Sequence, residues 1–457
     1  MTTTTPLSPP ARAPLIERLV GPFQHFAHQE ASSGLFLLGC TVVALAWANS
    51  PWAGAYHQLW EVPLAIRVGS RALEMSLHHW INDGLMAVFF FLVGLEIKRE
   101  VLVGELASLR RSALPLAAAA GGMLVPALLY ALVNRGGPGG AGWGIPMATD
   151  IAFALGVLAL LGPRVPLALK VFLAALAIAD DIGAVLVIAF FYTGSIGWSS
   201  LAWGAGILVA LAGANALGVR HRIVYGLLGV ALWGAFLGSG VHATIAGVLL
   251  AFTIPARTRL AAQEFLGRGH DALTRFAEAE RREVGVLANP EQLGALQNLE
   301  VAAEGAQAPL QRLERQLHGL VAFGIMPLFA LANAGVHIDT AALRGLTGPV
   351  VLGIVLGLVI GKPLGITLFA WLAARLHVAE RPPEISWGAL HGAAWLGGIG
   401  FTMSLFIAGL ALRDEALLAQ AKLGILTASL LAGTVGWLLL RRGDDRAAGA
   451  EEPPQRS

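Results

Sequence analysis

Charged residues are scarce in this 457-residue chain: Asp, Glu, Lys and Arg make up 13% of it, against about 25% in an ordinary soluble domain. Hydrophobic residues make up 56%. This shortage of charge excludes a disordered chain, a coiled coil and a typical cytosolic enzyme. The formal net charge is only +2, so no basic surface is indicated and we expect no nucleic-acid partner.

Cysteine is nearly absent. Cys40 is the one cysteine of the chain and lies inside an apolar run, which excludes an intrachain disulfide. The N-terminal segment MTTTTPLSPPARAPLIERLV lacks the charged-then-apolar order of a cleaved signal peptide. We therefore expect neither a disulfide framework nor a removable leader, and we expect no cofactor.

Long apolar runs are what the sequence has in abundance. Since a helical membrane span needs roughly 20 apolar residues, these runs predict an all-α polytopic membrane protein with about 12 transmembrane helices. The seventh and eighth runs are short and are separated only by Gly238-Ser239-Gly240, so their boundary is the weakest. The runs lie near residues 33–50, 79–97, 112–134, 144–161, 168–192, 198–218, 223–238, 240–255, 317–335, 349–374, 387–411 and 418–440.

Basic residues favour one side of these predicted spans. With the N-terminus in the cytoplasm, the cytoplasmic pieces hold 24 Lys and Arg and the outside pieces hold 5. Without the 8 basic residues of residues 256–316, the ratio is still 16 to 5. Because cytoplasmic loops carry the excess of Lys and Arg, the count predicts that both termini are cytoplasmic.

The predicted spans divide the chain into five pieces. Residues 256–316 hold 8 basic and 9 acidic residues in helical patterns, so we interpret them as a charged cytoplasmic insertion, either a solvated spacer or a regulatory segment. Residues 61–78 alternate in polarity around Gly69-Ser70, which fits a short outside β-hairpin, although a plain loop fits nearly as well. The pieces are a cytoplasmic segment at 1–32, helices 1–8 at 33–255, the insertion at 256–316, helices 9–12 at 317–440 and a cytoplasmic tail at 441–457.

Four ionisable residues lie deep in apolar sequence, where a charge is costly and indicates function: Asp150, Asp180, Asp181 and Lys362. Two adjacent carboxylates cannot both stay charged cheaply in a low dielectric. The pair can hold protons or a hard cation such as Na⁺, and competition between the two is the basis of exchange. A structural alternative is a buried Asp–Lys pair that only joins two helices, but this explains only one of the two adjacent acids.

Two spans contain residues that interrupt helices. Asp150 lies in WGIPMATDIAFALG, between Pro146 and Gly156, and the eleventh span has a glycine-rich centre at 397–400. Close helix packing is the alternative explanation for these glycines. However, the two spans are the middle members of the triplets 112–192 and 349–440, which run in opposite directions. This arrangement predicts inverted repeats of three helices whose two broken helices cross at the membrane midplane.

Several motifs resemble a known family. In chain order they are INDGLMAVFFFLVGLEIKRE (81–100), ATDIAFALG (148–156), ADDIGA (179–184), GVHATIAG (240–247), PLFALANAGV (327–336) and GKPLGI (361–366). Over nearly the whole chain they are similar to the bacterial sodium/proton antiporter family NhaA, for which inverted repeats are a known property. The main departure is the insertion at 258–308, where the family pattern has a short connection.

The resemblance implies a role for each deep charge. Asp180 and Asp181 match the ion-binding pair, and so would hold the transported Na⁺. Lys362 matches the lysine that pairs with the acid at position 180 in an inward-facing state. Asp150 matches the acid that compensates charge at the broken helices, and Thr149 adjoins it in the unwound segment.

The resemblance also implies regulatory residues. Glu96, Arg99 and Glu314 match a cytoplasmic funnel linked to pH response, and His242 matches a residue near the outside that affects it. Asp83 matches an outer-end acid of the second span. The alternatives are ordinary helix-surface pairs for Glu96 and Arg99, and a hydrogen-bonded helix-end residue for His242.

The function implied is a secondary Na⁺/H⁺ antiporter, not an enzyme, in a bacterial inner membrane. It would export Na⁺, and also Li⁺, against inward proton flow, with pH regulation. Two protons per Na⁺ would make each cycle electrogenic. Membrane lipid and a second copy of the chain, joined through the outside hairpin, are the expected partners. Two other classes remain as alternatives: an intramembrane aspartyl protease, which places its acids on different helices, and a passive cation channel.

Overall fold

A computed structural model describes residues 15–69, 71–279, 289–338 and 345–448. Within these ranges the chain is almost entirely helical. The helices of the first half are α1 Leu15–Ala48, α2 Ala53–Glu61, α3 Leu77–His79, α4 Met86–Val103, α5 Leu109–Val133, α6 Ile151–Leu160, α7 Leu167–Phe191, α8 Trp198–Ala216, α9 Arg222–Leu237 and α10 Ile245–Thr253. Those of the second half are α11 Ala262–Ala279, α12 Pro290–Ala306, α13 Pro309–Leu320, α14 Met326–Asn333, α15 Pro349–Val355, α16 Lys362–Arg375, α17 Trp387–Gly397, α18 Phe401–Ala411 and α19 Glu415–Ala448.

The polytopic helical fold is confirmed, and helices occupy all the predicted apolar runs. By length and hydropathy, 7 helices of the described residues can cross a membrane, or up to 9 if each of two bent pairs is one span. The lower number has a physical reason: several apolar runs form short or interrupted helices, such as α10 with 9 residues. The number of about twelve spans therefore stays a prediction.

Two strands form a hairpin within residues 61–78. β1 (Pro63–Val68) and β2 (Arg71–Ser76) pair antiparallel, with Pro63 opposite Ser76 and Val68 opposite Arg71. Gly69 at the turn has φ +62°, a left-handed conformation that glycine adopts without steric cost. The alternating pattern thus forms a hairpin and not a plain loop.

Proline accompanies irregular turns in two long helices. A π-helical turn at Val321–Ile325 precedes Met326-Pro327, and another at Leu356–Gly361 precedes Lys362-Pro363. Proline has no N–H to donate, so the regular ladder of hydrogen bonds is disturbed beside it. Lys362 begins α16 directly after the second of these turns.

Small residues bring α5 and α16 close together. A Cβ added at Gly121 would overlap the carbonyl oxygen of Gly365, and one added at Gly365 would overlap that of Gly121. Such close backbone contact is typical of membrane helices, whose interfaces are rich in small residues. It holds α16, and with it Lys362, against the triplet that contains α7.

The charged insertion is helical. α11 and α12 pack against each other and bury small residues, Ala272 and Ala279 on one helix and Ala295 and Ala302 on the other. The backbone N–H groups of Arg259 and Leu260 both donate to the carbonyl of Gly305, each at 2.9 Å. The two ends of the insertion therefore lie side by side.

Candidate functional site

Two helices are broken, and the breaks contact each other. Residues 148–150 are extended between a 3₁₀ segment (Gly140–Met147) and α6, while α17 and α18 meet at a 44° bend over residues 398–400. The Asp150 N–H donates to the carbonyl of Ile399 at 2.6 Å, and Ser404 Oγ donates to the carbonyl of Ile145 at 2.7 Å. Both predicted breaks are thus confirmed, as is their crossing.

Asp150 caps two helices with one carboxylate. Its Oδ1 accepts from the N–H of Phe153 at 3.1 Å, in the first turn of α6. Its Oδ2 accepts from the N–H of Thr402 at 3.0 Å and from the Thr402 hydroxyl, in the first turn of α18. A negative group is stabilised at helix N-termini, so Asp150 compensates the positive ends of both half-helices.

Lys362 contacts Asp180 and not Asp150. The Lys362 ammonium donates to Asp180 Oδ2 and to Thr149 Oγ1. The Thr149 hydroxyl lies 2.6 Å from Asp180 Oδ2 and 2.9 Å from the carbonyl of Gly397. A hydroxyl has one proton, so Thr149 accepts from the lysine while it donates to one of these two oxygens. The side chains of Lys362 and Asp180 are both 0% exposed, so this charge pair is fully removed from water.

Asp181 points elsewhere. Neighbours on a helix point about 100° apart, so Asp180 meets Lys362 while Asp181 lines a cavity of about 140 Å³. Asp181 is 3% exposed. In the part of the chain that the structure describes, Oδ1 of Asp181 and Oδ1 of Asp180 have no hydrogen-bond partner. Two buried carboxylate oxygens are thus available to a ligand that the protein itself does not supply.

The charges around Asp181 are mostly negative. Asp180, Glu96 and Asp150 all act on it, and Lys362 is the basic group among its charged neighbours. Buried charge is stable only when it is neutralised. The site therefore attracts a cation or protons.

Three residues predicted for the funnel line the same cavity as Asp181. Arg99 forms an ion pair with Glu314 on α13, and a second with Glu100 Oε1 at 2.9 Å. The three funnel residues are Glu96, Arg99 and Glu314. Arg99 thus joins α4 to α13. The alternative explanation, ordinary surface pairs along α4 alone, does not include such a contact between helices.

His242 and Asp83 form a separate pair. His242 Nε2 lies 3.4 Å from Asp83 Oδ1, and His242 Nδ1 lies 2.8 Å from Thr244 Oγ1. Neither His242 nor Asp83 lines the cavity at Asp181. The sequence indicated each residue singly, but the contact between them joins chain segments about 160 residues apart.

Sequence reasoning missed Thr402. This residue supplies two of the hydrogen bonds to Asp150. A signal was present, since Thr402 and Ser404 are polar residues directly after the glycine-rich break in an apolar run. His318, which also lines the cavity, was missed as well.

Comparisons with known proteins give one consistent result. A family model described as Na⁺/H⁺ antiporter 1 matches residues 24–440. The chain is 53% identical to the Na(+)/H(+) antiporter NhaA of Koribacter versatilis over 439 residues, which are 96% of this chain and 95% of the relative. It is 52% identical to the Na(+)/H(+) antiporter NhaA of Oleidesulfovibrio alaskensis, over 94% of this chain and 96% of the relative. It is 51% identical to the Na(+)/H(+) antiporter NhaA 2 of Syntrophotalea carbinolica, over 93% and 98%.

Proposed function

The chain belongs to the NhaA family of Na⁺/H⁺ antiporters, and we propose that Asp180 and Asp181 form its ion-binding site. The protein is a multi-pass membrane transporter that exchanges Na⁺ for H⁺, and it is not an enzyme. Neither the protease nor the channel alternative has support from the relatives, which are named as antiporters.

One observation carries this proposal: the cavity lined by Glu96, Arg99 and Glu314 is also lined by Asp181, whose Oδ1 is buried and unpartnered among the described residues. A hard cation such as Na⁺ prefers oxygen ligands, and carboxylate oxygens are also where a proton binds. Na⁺ and H⁺ then compete for the same atoms. Such competition, with access from one side at a time, produces exchange.

We propose that Lys362 carries one of the transported protons. A bound Na⁺ interacts with the negative charge of Asp180. The ion pair between Asp180 and Lys362 is then weaker, which favours loss of the proton from the lysine. Asp181 gives up a second proton. Two protons for one Na⁺ move one net charge, so each cycle gains about 2.3 kcal/mol per 100 mV of membrane potential.

We propose that Li⁺ is a second substrate, because it is a small, hard cation with the same preference for oxygen ligands. Purified protein in liposomes that contain a pH-sensitive dye tests this directly. Pulses of Na⁺ and Li⁺ should each move protons, whereas K⁺ at the same concentration should not. Equal responses to all three ions would contradict a site built on two closely placed carboxylates.

We propose that both termini lie in the cytoplasm, in a bacterial inner membrane, as the excess of Lys and Arg on that side supports. Cys40 is the one native cysteine, so a Cys40→Ser background allows single-cysteine labelling. In intact cells, an impermeant maleimide should label Ala65→Cys in the hairpin and not Ala262→Cys, an exposed position at the start of α11. The reverse labelling would invert the orientation.

We propose that the hairpin joins two copies of the chain into a homodimer within the lipid bilayer. Leu64 and Ile66 are 47% and 50% exposed on β1, which leaves apolar area for a partner of the same kind. An Ile66→Asp variant should have the mass of a monomer in light scattering. The same change at the neighbouring position, Arg67→Asp, serves as its control.

We propose that Glu96, Arg99, Glu314 and His242 set the pH response. Arg99→Gln removes the positive charge beside Glu314, so Glu314 keeps its proton to higher pH. The pH of half-maximal exchange should rise by about half a unit, with the maximal rate kept, in liposome assays across pH.

The control for Arg99→Gln is Arg110→Gln. Arg110 also pairs with a glutamate, Glu380, but the two side chains are 79% and 76% exposed at the surface. An exposed ion pair of this kind contributes little free energy, so its loss should leave the dependence of exchange on pH unchanged. An unchanged profile for Arg99→Gln would contradict a regulatory role for the Arg99–Glu314 pair.

We propose that residues 258–308 modulate the pH response and take no part in the transport step. Because Gly305 accepts hydrogen bonds from Arg259 and Leu260, a short Gly/Ser join can replace the segment without moving its ends. Maximal exchange should stay nearly intact, with a modest shift of the half-maximal pH. The control keeps α11 and α12 and carries the same linker after Gln307. A deletion variant that inserts correctly but exchanges nothing would mean that the insertion takes part in the cycle.

A further inference from the structure

A second cavity lies between the insertion and the membrane helices. Its volume is about 420 Å³, and its walls come from the start of α9, the chain after α10, the insertion and the start of α13. Glu304 is the one acidic residue among the described residues of its lining. The basic residues of the lining are Arg220, Arg222, Arg259, Arg268 and Arg312, and His221 lies among them.

Two of these arginines are neutralised. Arg312 pairs with Glu304 at 2.5 Å, and Arg268 pairs with Glu264 at 2.6 Å. The hydrogen bond from Arg312, with the charge of Arg222 nearby, lowers the pKa of Glu304. The excess of positive charge here thus acts on the one carboxylate present.

Among the described residues, three arginines of the lining form no ion pair with a carboxylate. Arg220 donates to the backbone carbonyls of Arg257 and Thr258, at 3.0 and 3.4 Å. Over the described ranges, the side chains of Arg222 and Arg259 make neither a hydrogen bond nor an ion pair. Three guanidinium groups thus line one concave space in which Glu304, the one carboxylate among the described lining residues, already forms an ion pair with Arg312.

We propose that this arginine cavity binds a soluble organic phosphate through Arg220, Arg222 and Arg259. One guanidinium group can donate two parallel hydrogen bonds to two oxygens of a phosphate. This gives more geometric specificity than an ammonium group has. Ile254, Leu260 and Leu313 add an apolar wall for the organic part of the ligand. The volume is within the range of about 300–1,000 Å³ that is usual for sites of small molecules.

The position of the cavity favours a soluble ligand over a lipid headgroup. Arg259, Arg268 and Glu304 belong to the insertion, whose two helices carry charged residues and are not among the helices apolar enough to cross a membrane. The wall that they form therefore faces the aqueous side. A lipid headgroup would have to leave the membrane surface to reach Arg259.

One helix connects this cavity to the ion site. On α13, Arg312 and Leu313 line the arginine cavity, whereas Glu314 and His318 line the cavity that contains Asp181. A ligand bound at one face of α13 therefore affects the position of the Glu314–Arg99 ion pair on its other face. The site is thus regulatory, and this part of the inference rests on the proposed role of Glu314.

Titration calorimetry on the full-length protein in phosphatidylcholine nanodiscs tests the binding, with inorganic pyrophosphate and ADP as probes. We expect saturable binding with a Kd below about 1 mM, weakened at least about tenfold in an Arg222→Gln/Arg259→Gln variant. Arg413→Gln, an exposed arginine elsewhere on the chain, is the control and should bind as the native chain does. Absence of saturable binding, or equal binding by the double variant, would overturn the site.

A lipid arm separates the two sources of phosphate. Nanodiscs with phosphatidylglycerol should leave the binding of pyrophosphate in place. Suppose that pyrophosphate does not bind in phosphatidylcholine nanodiscs, and that the native chain enriches phosphatidylglycerol around itself whereas the double variant does not. The cavity is then a lipid site and the proposal is wrong.

A transport arm tests the coupling. Pyrophosphate on the insertion side should shift the pH of half-maximal exchange in the native chain and not in the double variant. Binding without any shift would overturn the regulatory role. Because calorimetry does not depend on transport, failure of the ion-site proposal would leave the binding result intact.

Discussion

Asp181→Asn is expected to abolish Na⁺/H⁺ exchange while the protein still folds and inserts. The carboxylate of Asp181 lines the cavity, and its Oδ1 has no hydrogen-bond partner among the described residues, so the substitution breaks no hydrogen bond of that oxygen. It does remove the charge that holds the ion. A loss of about 2.7 kcal/mol in ion binding already lowers affinity about a hundredfold, and we expect exchange to fall by at least that factor.

Exchange in proteoliposomes measures this effect, with thermal unfolding in detergent as the check on folding. Asp271→Asn is the matched control, because it makes the same chemical change on exposed α11, far from the cavity lining. We expect the control to exchange at the native rate. Robust Na⁺-driven proton movement in Asp181→Asn, at native rate and affinity, would refute the assignment of the ion site.

Lys362→Ala is expected to destabilise the protein by about 3–5 kcal/mol, because it leaves Asp180 as a buried charge without its cation. Thr149 alone then hydrogen-bonds that carboxylate. A second change, Asp180→Asn in the Lys362→Ala background, should recover a large part of the loss, since no unpaired charge remains. Lys170→Ala is the control, because its ammonium lies partly exposed and donates to the carbonyl of Gly162 at 3.0 Å.

Lys362→Gln separates a structural lysine from a proton carrier. If Lys362 carries a transported proton, the variant loses one proton per cycle, and exchange no longer responds to membrane potential. Proteoliposomes with an imposed potential measure this response. Retained electrogenic exchange would leave Lys362 with a structural role alone.

The residues of the candidate ion site could be picked out because a charge in apolar sequence is conspicuous. Asp150, Asp180, Asp181 and Lys362 stand out from their neighbours, and the structure brings Lys362 to Asp180. Partners of ordinary polarity do not stand out. Thr402 meets Asp150 across 252 positions of sequence, a contact that depends on how two broken helices cross.

The helices were predictable where apolar runs are long, and the breaks where proline or glycine interrupts them. The π-helical turns before Pro327 and Pro363 were not, because one extra residue in a helical turn leaves the hydrophobic pattern nearly unchanged. The pairs Arg99–Glu314 and Asp83–His242 were also beyond sequence reasoning, since each joins helices whose relative rotation depends on packing.

The double capping by Asp150 has a mechanical consequence. One carboxylate holds the N-termini of α6 and α18, and Ser404 and Ile399 add hydrogen bonds between the same two breaks. Neither half-helix can shift along the other without losing several of these bonds together. We therefore expect the crossing to move as one unit, so that changes of access to the cavity arise around the two half-helices and not between them.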